Sequence, residues 1–103
     1  MAKYELPIYD KKTGESEKVL TRNFMPVDLF IRFQAYAEKL SSDEYKEKVT
    51  DEIMFDELQP LFCEMFPTMT KDEYKGQTDI AEVLSMFRDI VTKATTIKPS
   101  KNA

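Results

Sequence analysis

The chain of 103 residues contains no histidine and only one cysteine, Cys63. Without histidine it lacks the commonest general base and the commonest metal ligand, which excludes Ser-His-Asp and Cys-His nucleophile arrangements. A single cysteine cannot form an internal disulfide. Because no cationic residue neighbours Cys63 on its predicted helix, nothing local would lower the pKa of the thiol. We therefore interpret Cys63 as a small packing residue.

Glycine and long apolar runs are also scarce. Gly14 and Gly76 are the two glycines, too few for a glycine-rich phosphate-binding loop. No apolar run approaches the roughly 20 residues of a membrane span, and Met1 leads directly into strand-like sequence. We therefore expect a cytoplasmic protein with no membrane partner. The missing groups also predict no catalytic residue, no cofactor and no metal site, so that the protein is not an enzyme.

Composition and charge narrow the class of protein further. A length of 103 residues with 42% hydrophobic residues predicts one globular domain with a modest core. The net charge is −4, which argues against nonspecific binding of nucleic acid phosphates. An acidic surface instead suits solubility or a basic partner.

Alternating apolar residues near the N-terminus predict a β-hairpin over residues 3–24. The alternation is clear in KYELPIY, residues 3–9, and weaker in EKVLTRNF, residues 17–24. Gly14 can supply the positive φ of the turn between them. A lone two-stranded hairpin is marginally stable in water. It must pack on the helices of its own chain or pair an edge with another chain.

Helical periodicity then predicts a fold that is mainly α with a small N-terminal β-hairpin, an α+β class with three to four helices packed as a small bundle. Residues 41–48 are charged and weakly patterned, so we interpret them as a linker or a frayed helical extension. The single domain spans residues 1–97, and we expect a disordered tail at residues 98–103. The predicted helices are helix 1 at 26–40, a kinked helix 2 at 50–66, a short helix 3 at 70–75 and helix 4 at 79–97.

Capping and breaking residues set the predicted helix ends. Thr50 can cap helix 2, and Thr70 with Glu73 forms a capping box at the start of helix 3. Gly76 is predicted to end helix 3. Pro60 lies on the polar side of helix 2, where a proline kinks the helix or breaks it.

The strongest helical signal lies in TDIAEVLSMFRDIVTKATTI, residues 78–97. Its apolar residues recur at i, i+3, i+4 and i+7 and occupy an arc of roughly 120°. Thr78 or Asp79 can cap its start. Such a helix must pack its apolar face against the rest of the domain. The residues of that face are Ile80, Val83, Leu84, Phe87, Ile90, Val91 and Ala94.

Helix 1 carries a second apolar stripe, Val27, Ile31 and Ala35, outside its main apolar face. A helix that is apolar on two sides is usually sandwiched within its own domain, here beneath the hairpin; less often the second stripe meets a partner. Should a partner bind, we predict that it contacts this stripe. Phe55 and Phe66, at the edge of the apolar face of helix 2, are the other candidates.

Acidic residues line the opposite side of helix 2. With no histidine and no local cation, a metal or paired-carboxylate site is disfavoured, and we interpret this side as a solvated acidic face that could contact a basic partner. The residues concerned are Glu52, Asp56, Glu57 and Glu64.

Several motifs resemble the tail assembly chaperones of long-tailed, siphovirus-type phages and prophages of Gram-positive bacteria. At the N-terminus these are KYEL followed by YD, TG and RNF, and then a charged linker. Further on they are LFCEMF, a TxxE turn ending in Gly76, and MFRDIV in the final helix. The resemblance covers residues 3–95. Pro60 and Pro67 depart from the family pattern, in which the second helix usually runs unbroken into a turn containing Gly or Asn.

The resemblance implies a non-enzymatic chaperone encoded just before the tape measure gene. Its partners would be the tape measure protein, which it keeps soluble, and the major tail protein, which it helps to recruit as tail tube subunits. It would act in the cytoplasm of the bacterial host and be absent from the mature virion. Family members often have a longer, frameshifted form. Whether the chain forms a homo-oligomer is left open by its residues.

Two other functions stay open. One is a small acidic phage-encoded regulator or inhibitor that binds a basic site, although here the acidic residues are interleaved with lysines. The other is a structural tail-completion or connector protein, which would persist in the particle.

Overall fold

A hairpin followed by five helices makes up residues 3–97, the part of the chain that the computed structural model describes, with the side chains of residues 93–97 excepted. The α+β class with an N-terminal hairpin is therefore confirmed. The predicted disordered tail at residues 98–103 lies outside the described residues. The elements are β1 (Tyr4–Tyr9), β2 (Ser16–Arg22), α1 (Val27–Ser41), α2 (Asp43–Lys46), α3 (Asp51–Met65), α4 (Lys71–Gln77) and α5 (Ile80–Ile97).

The prediction of three to four helices was wrong, because the described residues form five. The unexpected helix is α2, within the segment interpreted as a linker or a frayed extension. Its start is capped by the Ser42 hydroxyl, which accepts a hydrogen bond from the Tyr45 N–H at 3.3 Å. A four-residue helix without buried residues has no apolar periodicity, so pattern reasoning could not detect it.

The hairpin is antiparallel, with Leu6 opposite Leu20 and both side chains buried. The Asp10 N–H donates to the Glu15 carbonyl at 2.8 Å at the base of the turn. Gly14 has a φ of 76°, the left-handed conformation that glycine adopts without strain. The predicted role of Gly14 in the turn is thereby confirmed.

The helix starts follow the predicted caps, but one helix end does not. Thr70 and Glu73 form the complete capping box at α4, and the Asp79 carboxylate accepts from the first N–H groups of α5. Gly76 does not end its helix, since α4 continues to Gln77. A Cβ added at Gly76 would lie 3.1 Å from the Lys11 Cε, so a close approach of the hairpin loop uses this position instead.

Helix α3 continues through Pro60 as a single helix, and Pro60 lies on the exposed side. Its missing N–H removes one helical hydrogen bond at the surface, where water can satisfy the unpaired carbonyl. The buried side of α3 is continuous on either side of the proline. Leu58, Leu61, Phe62 and Met65 are buried there.

The core lies between the inner face of the hairpin and the helices α1, α3, α4 and α5. At its centre, Phe33 of α1 packs edge-to-face on Phe62 of α3, with ring centroids 5.4 Å apart. Phe87 of α5 approaches Phe33 at 6.2 Å. Among the described residues, every side chain of the buried core is hydrophobic, and no polar or charged residue is buried.

Hydrogen bonds between elements hold the hairpin on the helices. The Gln77 side-chain amide donates to the Tyr9 carbonyl at 3.0 Å, and the Tyr9 hydroxyl donates to the Glu82 carboxylate at 2.7 Å. The Arg22 guanidinium donates to the Met65 carbonyl at 2.8 Å. The two contacts of Tyr9 fix β1 against α4 and α5, and the contact of Arg22 joins β2 to the end of α3. No helix within residues 3–97 is long and apolar enough to cross a membrane.

Candidate functional site

Helix α1 buries one side and exposes an apolar stripe on the other. Val27 is 74% exposed and Ile31 is 56% exposed, and Ala35 continues the same side one turn further. We call these three residues the α1 stripe. The commoner interpretation, a helix sandwiched on both sides beneath the hairpin, was wrong, because Val27 and Ile31 are exposed while β1 lies against α4 and α5. The α1 stripe therefore faces solvent in the isolated chain.

Charged residues border the α1 stripe on one side. At 100° per residue, Asp28 and Arg32 lie next to Val27 and Ile31 on the helix surface. Arg32 forms an ion pair with Glu64 of α3. The surface thus combines an apolar centre with one acidic and one basic side chain at its margin.

Phe24, just before α1, is also 61% exposed. The Arg22 guanidinium carbon lies 4.7 Å from the centroid of the Phe24 ring, a cation–π contact. The structure places Phe24 beyond the end of β2, where its ring lies against the Arg22 guanidinium and stays largely exposed.

Phe66 is not on the surface, in contrast to its predicted place at the edge of the apolar face. It is 1% exposed and belongs to the core. The helical wheel misplaced it because Phe66 has left the helix, with φ −122° and ψ 83°, as the C-cap residue of α3. Its N–H still donates to the Phe62 carbonyl at 2.9 Å while the side chain turns inward.

Phe55 is half-buried and lines a cleft of about 240 Å³ between α3, α4 and α5. The Tyr74 hydroxyl donates to the Phe55 carbonyl at 2.8 Å, and burial raises the pKa of Tyr74. Ile80 lines the same cleft but is 58% exposed, although the helical pattern placed it on the core face of helix 4. Phe55 and Ile80 thus belong to a second apolar surface, the α3–α5 cleft, which is separate from the α1 stripe.

Two tyrosines meet one carboxylate where α1, α2 and α3 come together. The hydroxyls of Tyr36 and Tyr45 both donate to Oε1 of Glu57, the former at 2.8 Å. Lys39 stands over the Tyr45 ring at 4.5 Å and faces the second Glu57 oxygen at 3.9 Å. The hydrogen bonds from Tyr45 and then Tyr36, aided by Lys39, lower the pKa of Glu57. Sequence reasoning missed this cluster because its members come from three elements.

The acidic side of α3 is largely occupied by cations of the same chain. Asp56 pairs with Lys75 at 3.4 Å, and Glu64 pairs with Arg32. Together with Glu57, three of the four carboxylates proposed as a solvated acidic face already have partners. The local sequence pattern offers nothing that would shift the pKa values of these carboxylates, and the partners that lower the pKa of Glu57 come from α1 and α2.

Cys63 is half-buried beside the core, and burial raises the pKa of its thiol. A raised pKa lowers the thiolate fraction and therefore the reactivity. Within the part of the chain that the structure describes, no group of three or more Cys, Asp or Glu side chains is arranged to hold a metal ion.

Comparison with known proteins found no match for this chain among protein-family models, curated proteins or solved structures.

Proposed function

We propose that the protein is a non-enzymatic phage tail assembly chaperone, which binds the tape measure protein, keeps it soluble and helps to recruit tail tube subunits. The resemblance of its motifs to that family motivates the proposal. The observation that carries it is the α1 stripe, since Val27 and Ile31 are exposed at adjacent turns of one helix. Exposed apolar side chains in contiguous rows mark surfaces for protein partners.

The client would dock as a helix against the α1 stripe. A long helical client presents an apolar seam, and Val27, Ile31 and Ala35 match the spacing of successive turns on such a seam. Asp28 would pair with a basic residue that flanks the seam. A stripe of three residues buries little surface, so each contact is weak, and many copies along one client supply the avidity.

Weak individual contacts also suit a chaperone that is released from its client during tail assembly. Tail tube subunits that pack around the client can displace the copies one at a time. The protein would then act in the host cytoplasm and be absent from the mature virion. The α3–α5 cleft is the alternative client surface on this chain, with Phe55 as its anchor.

The acidic inhibitor is less well supported than the chaperone. Such a protein needs carboxylates free to face a basic site, whereas Asp56, Glu57 and Glu64 already pair with Lys75, Lys39 and Arg32. Forming an interface through them would require breaking those pairs.

Co-expression with the tape measure protein tests the function and the surface together. We expect the client to become soluble and to co-elute with several copies of the chain on size exclusion. Ile31→Asp should weaken this binding at least about tenfold, because a carboxylate would be desolvated against an apolar seam. Ile80→Asp is the matched control, since Ile80 is equally exposed but lies at the α3–α5 cleft.

Three outcomes separate the alternatives. If Ile80→Asp loses client binding and Ile31→Asp retains it, the client binds at the α3–α5 cleft. A client that stays insoluble while the chain elutes alone would refute the chaperone function. Detection of the chain by mass spectrometry of purified virions, in stoichiometric amounts, would instead indicate a structural tail component.

A further inference from the structure

The outer edge of β2 carries backbone groups that no described residue satisfies. The alternation along β1 shows which groups these are. The Asp10 N–H points toward the partner strand, because it donates to the Glu15 carbonyl. The Tyr9 carbonyl points away from it, because it accepts from the Gln77 side chain. Since directions alternate along a strand, Leu6 and Ile8 pair with β2 and Pro7 faces outward.

The register transfers this alternation to β2. Leu6 and Ile8 stand opposite Leu20 and Lys18, so these two residues face β1. The N–H and C=O groups of Val19 and Thr21 therefore point to the free edge. Both residues are exposed, Val19 by 48%, and within residues 3–97 no hydrogen bond reaches their backbone from that side.

The edge of β1, by contrast, is blocked. Pro7 has no N–H to offer, and the Tyr9 carbonyl is already bonded to Gln77. Helices α4 and α5 also pack against β1. A lysine on an edge strand disfavours pairing with another chain. Lys18 is the lysine of β2, and its side chain lies on the inner face, where it pairs with Glu73 at 2.7 Å. The hairpin thus has one blocked edge and one open edge.

We infer that the open edge of β2 pairs with β2 of a second copy of this chain, antiparallel about a two-fold axis at Val19. The solvated main-chain groups along this edge offer the hydrogen bonds with which an added strand pairs. Val19 is the midpoint of Ser16–Arg22, and this register pairs the regular part of the strand around Val19 up to Glu17, where the register between β1 and β2 shifts. Each Val19 N–H would donate to the Val19 carbonyl of the other copy, and the two exposed valine side chains would cover each other.

The charges of β2 favour this register. It places no like charges opposite each other. The alternative with Leu20 facing its own copy would set Lys18 against Arg22 and is disfavoured for that reason. In the favoured register the opposed pairs are Val19 with Val19, Lys18 with Leu20, and Glu17 with Thr21.

A dimer formed in this way is closed. Each copy uses its open edge, and the outer strands of the four-stranded sheet are the blocked β1 edges, so growth into a filament stops. The inference does not rest on the function proposed above, because β2 and the α1 stripe are separate surfaces.

Substitutions of Val19 by residues of opposite charge test the dimer. We expect sedimentation velocity to show a concentration-dependent dimer for the wild type. Val19→Lys and Val19→Glu should each be monomeric, with dimer dissociation constants raised at least about tenfold, because like charges meet at the two-fold axis. Mixing the two variants should restore a heterodimer. Val19→Thr keeps the N–H and the β-branched shape and should dimerise like the wild type.

Amide exchange supplies a second readout at the same residues. In the wild type the amides of Val19 and Thr21 should exchange slowly, and in Val19→Lys quickly, while the Leu20 amide stays protected in both. Circular dichroism checks that each variant folds. A wild type that remains monomeric at hundreds of micromolar would overturn the inference. So would a dimer that persists in both charged variants, which would indicate another interface.

Discussion

At the scale of single residues, the ionisation of Glu57 depends on contacts from distant parts of the chain. Its carboxylate accepts from Tyr36 of α1 and Tyr45 of α2, and Lys39 faces its second oxygen. These donors stabilise the ionised form and lower its pKa below the usual 4.5. The cluster also explains why α2 is ordered as a helix against α1 and α3, although no residue of α2 is buried.

The lowered pKa of Glu57 predicts how the stability lost on replacing this residue depends on pH. The stability that the carboxylate contributes is fully present above the unfolded pKa and is lost as the pH falls through the lower folded pKa. Glu57→Gln should therefore lower the melting temperature near neutral pH, and the difference from the wild type should shrink toward about pH 3. Thermal melts at both pH values check this.

Glu52→Gln, at an exposed position of the same helix, is the matched control and should change the melting temperature little. An unchanged difference between wild type and Glu57→Gln across the pH range would contradict the electrostatic origin of the effect.

At the scale of elements, α3 combines a proline with an unbroken helix. Pro60 cannot donate to the Asp56 carbonyl one turn back, and its ring crowds that turn. The helix continues because Pro60 faces solvent while Leu58, Leu61 and Phe62 hold both halves in the core. Tertiary packing thus overrides a local helix breaker.

Pro60→Ala should therefore stabilise the protein. Restoring the hydrogen bond and removing the clash outweigh the greater freedom of the unfolded chain, for a net gain of about 1–2 kcal/mol in the free energy of unfolding. Urea unfolding measures it. Glu52→Ala, on the exposed surface of the same helix, should instead lower the value by less than about 1 kcal/mol, because Glu52 lies in the first turn of α3 and favours the helix dipole. A destabilised Pro60→Ala variant would mean that the proline shapes the packing of α3.

At the scale of the whole molecule, Arg22 joins the hairpin to the far end of α3. Its Nη1 atom donates to the carbonyls of Glu64 and Met65, which have no helical partner at the C-terminus. The positive charge also suits the negative end of the helix dipole. Arg22 and Arg32 both reach this end of α3, but Arg32 only contacts an exposed carboxylate.

This difference predicts unequal effects for two matched substitutions. Arg22→Met should lower the free energy of unfolding by about 1–2 kcal/mol, because half-buried carbonyls lose a charged donor. Arg32→Met should cost less than about 1 kcal/mol, since an exposed ion pair contributes little. Urea unfolding of both variants provides the comparison. Equal losses would contradict the role of Arg22 as the cap of α3.

Local signals in the sequence were sufficient for the class of fold and for most element starts. Apolar alternation, the turn at Gly14 and the caps at Thr50 and Thr70 involve residues a few positions apart, whose interactions do not depend on the rest of the chain. Boundaries of the four predicted helices accordingly differ from the observed ones by at most two residues. Helix α2 was not predicted, because it is too short for an apolar periodicity to be detected.

Only the tertiary structure decided which apolar residues are surface and which are core. Phe66 and Ile31 both have large apolar side chains. Phe66 is buried at the end of α3, whereas Ile31 is exposed on α1. The same holds for Glu57 and Arg22, whose partners come from distant elements. A helical pattern reports the direction of a side chain, whereas burial depends on which element packs on that side. The sequence by itself therefore determined most of the elements and their N-terminal caps, and the packing of the hairpin and the helices on one another determined the candidate surfaces.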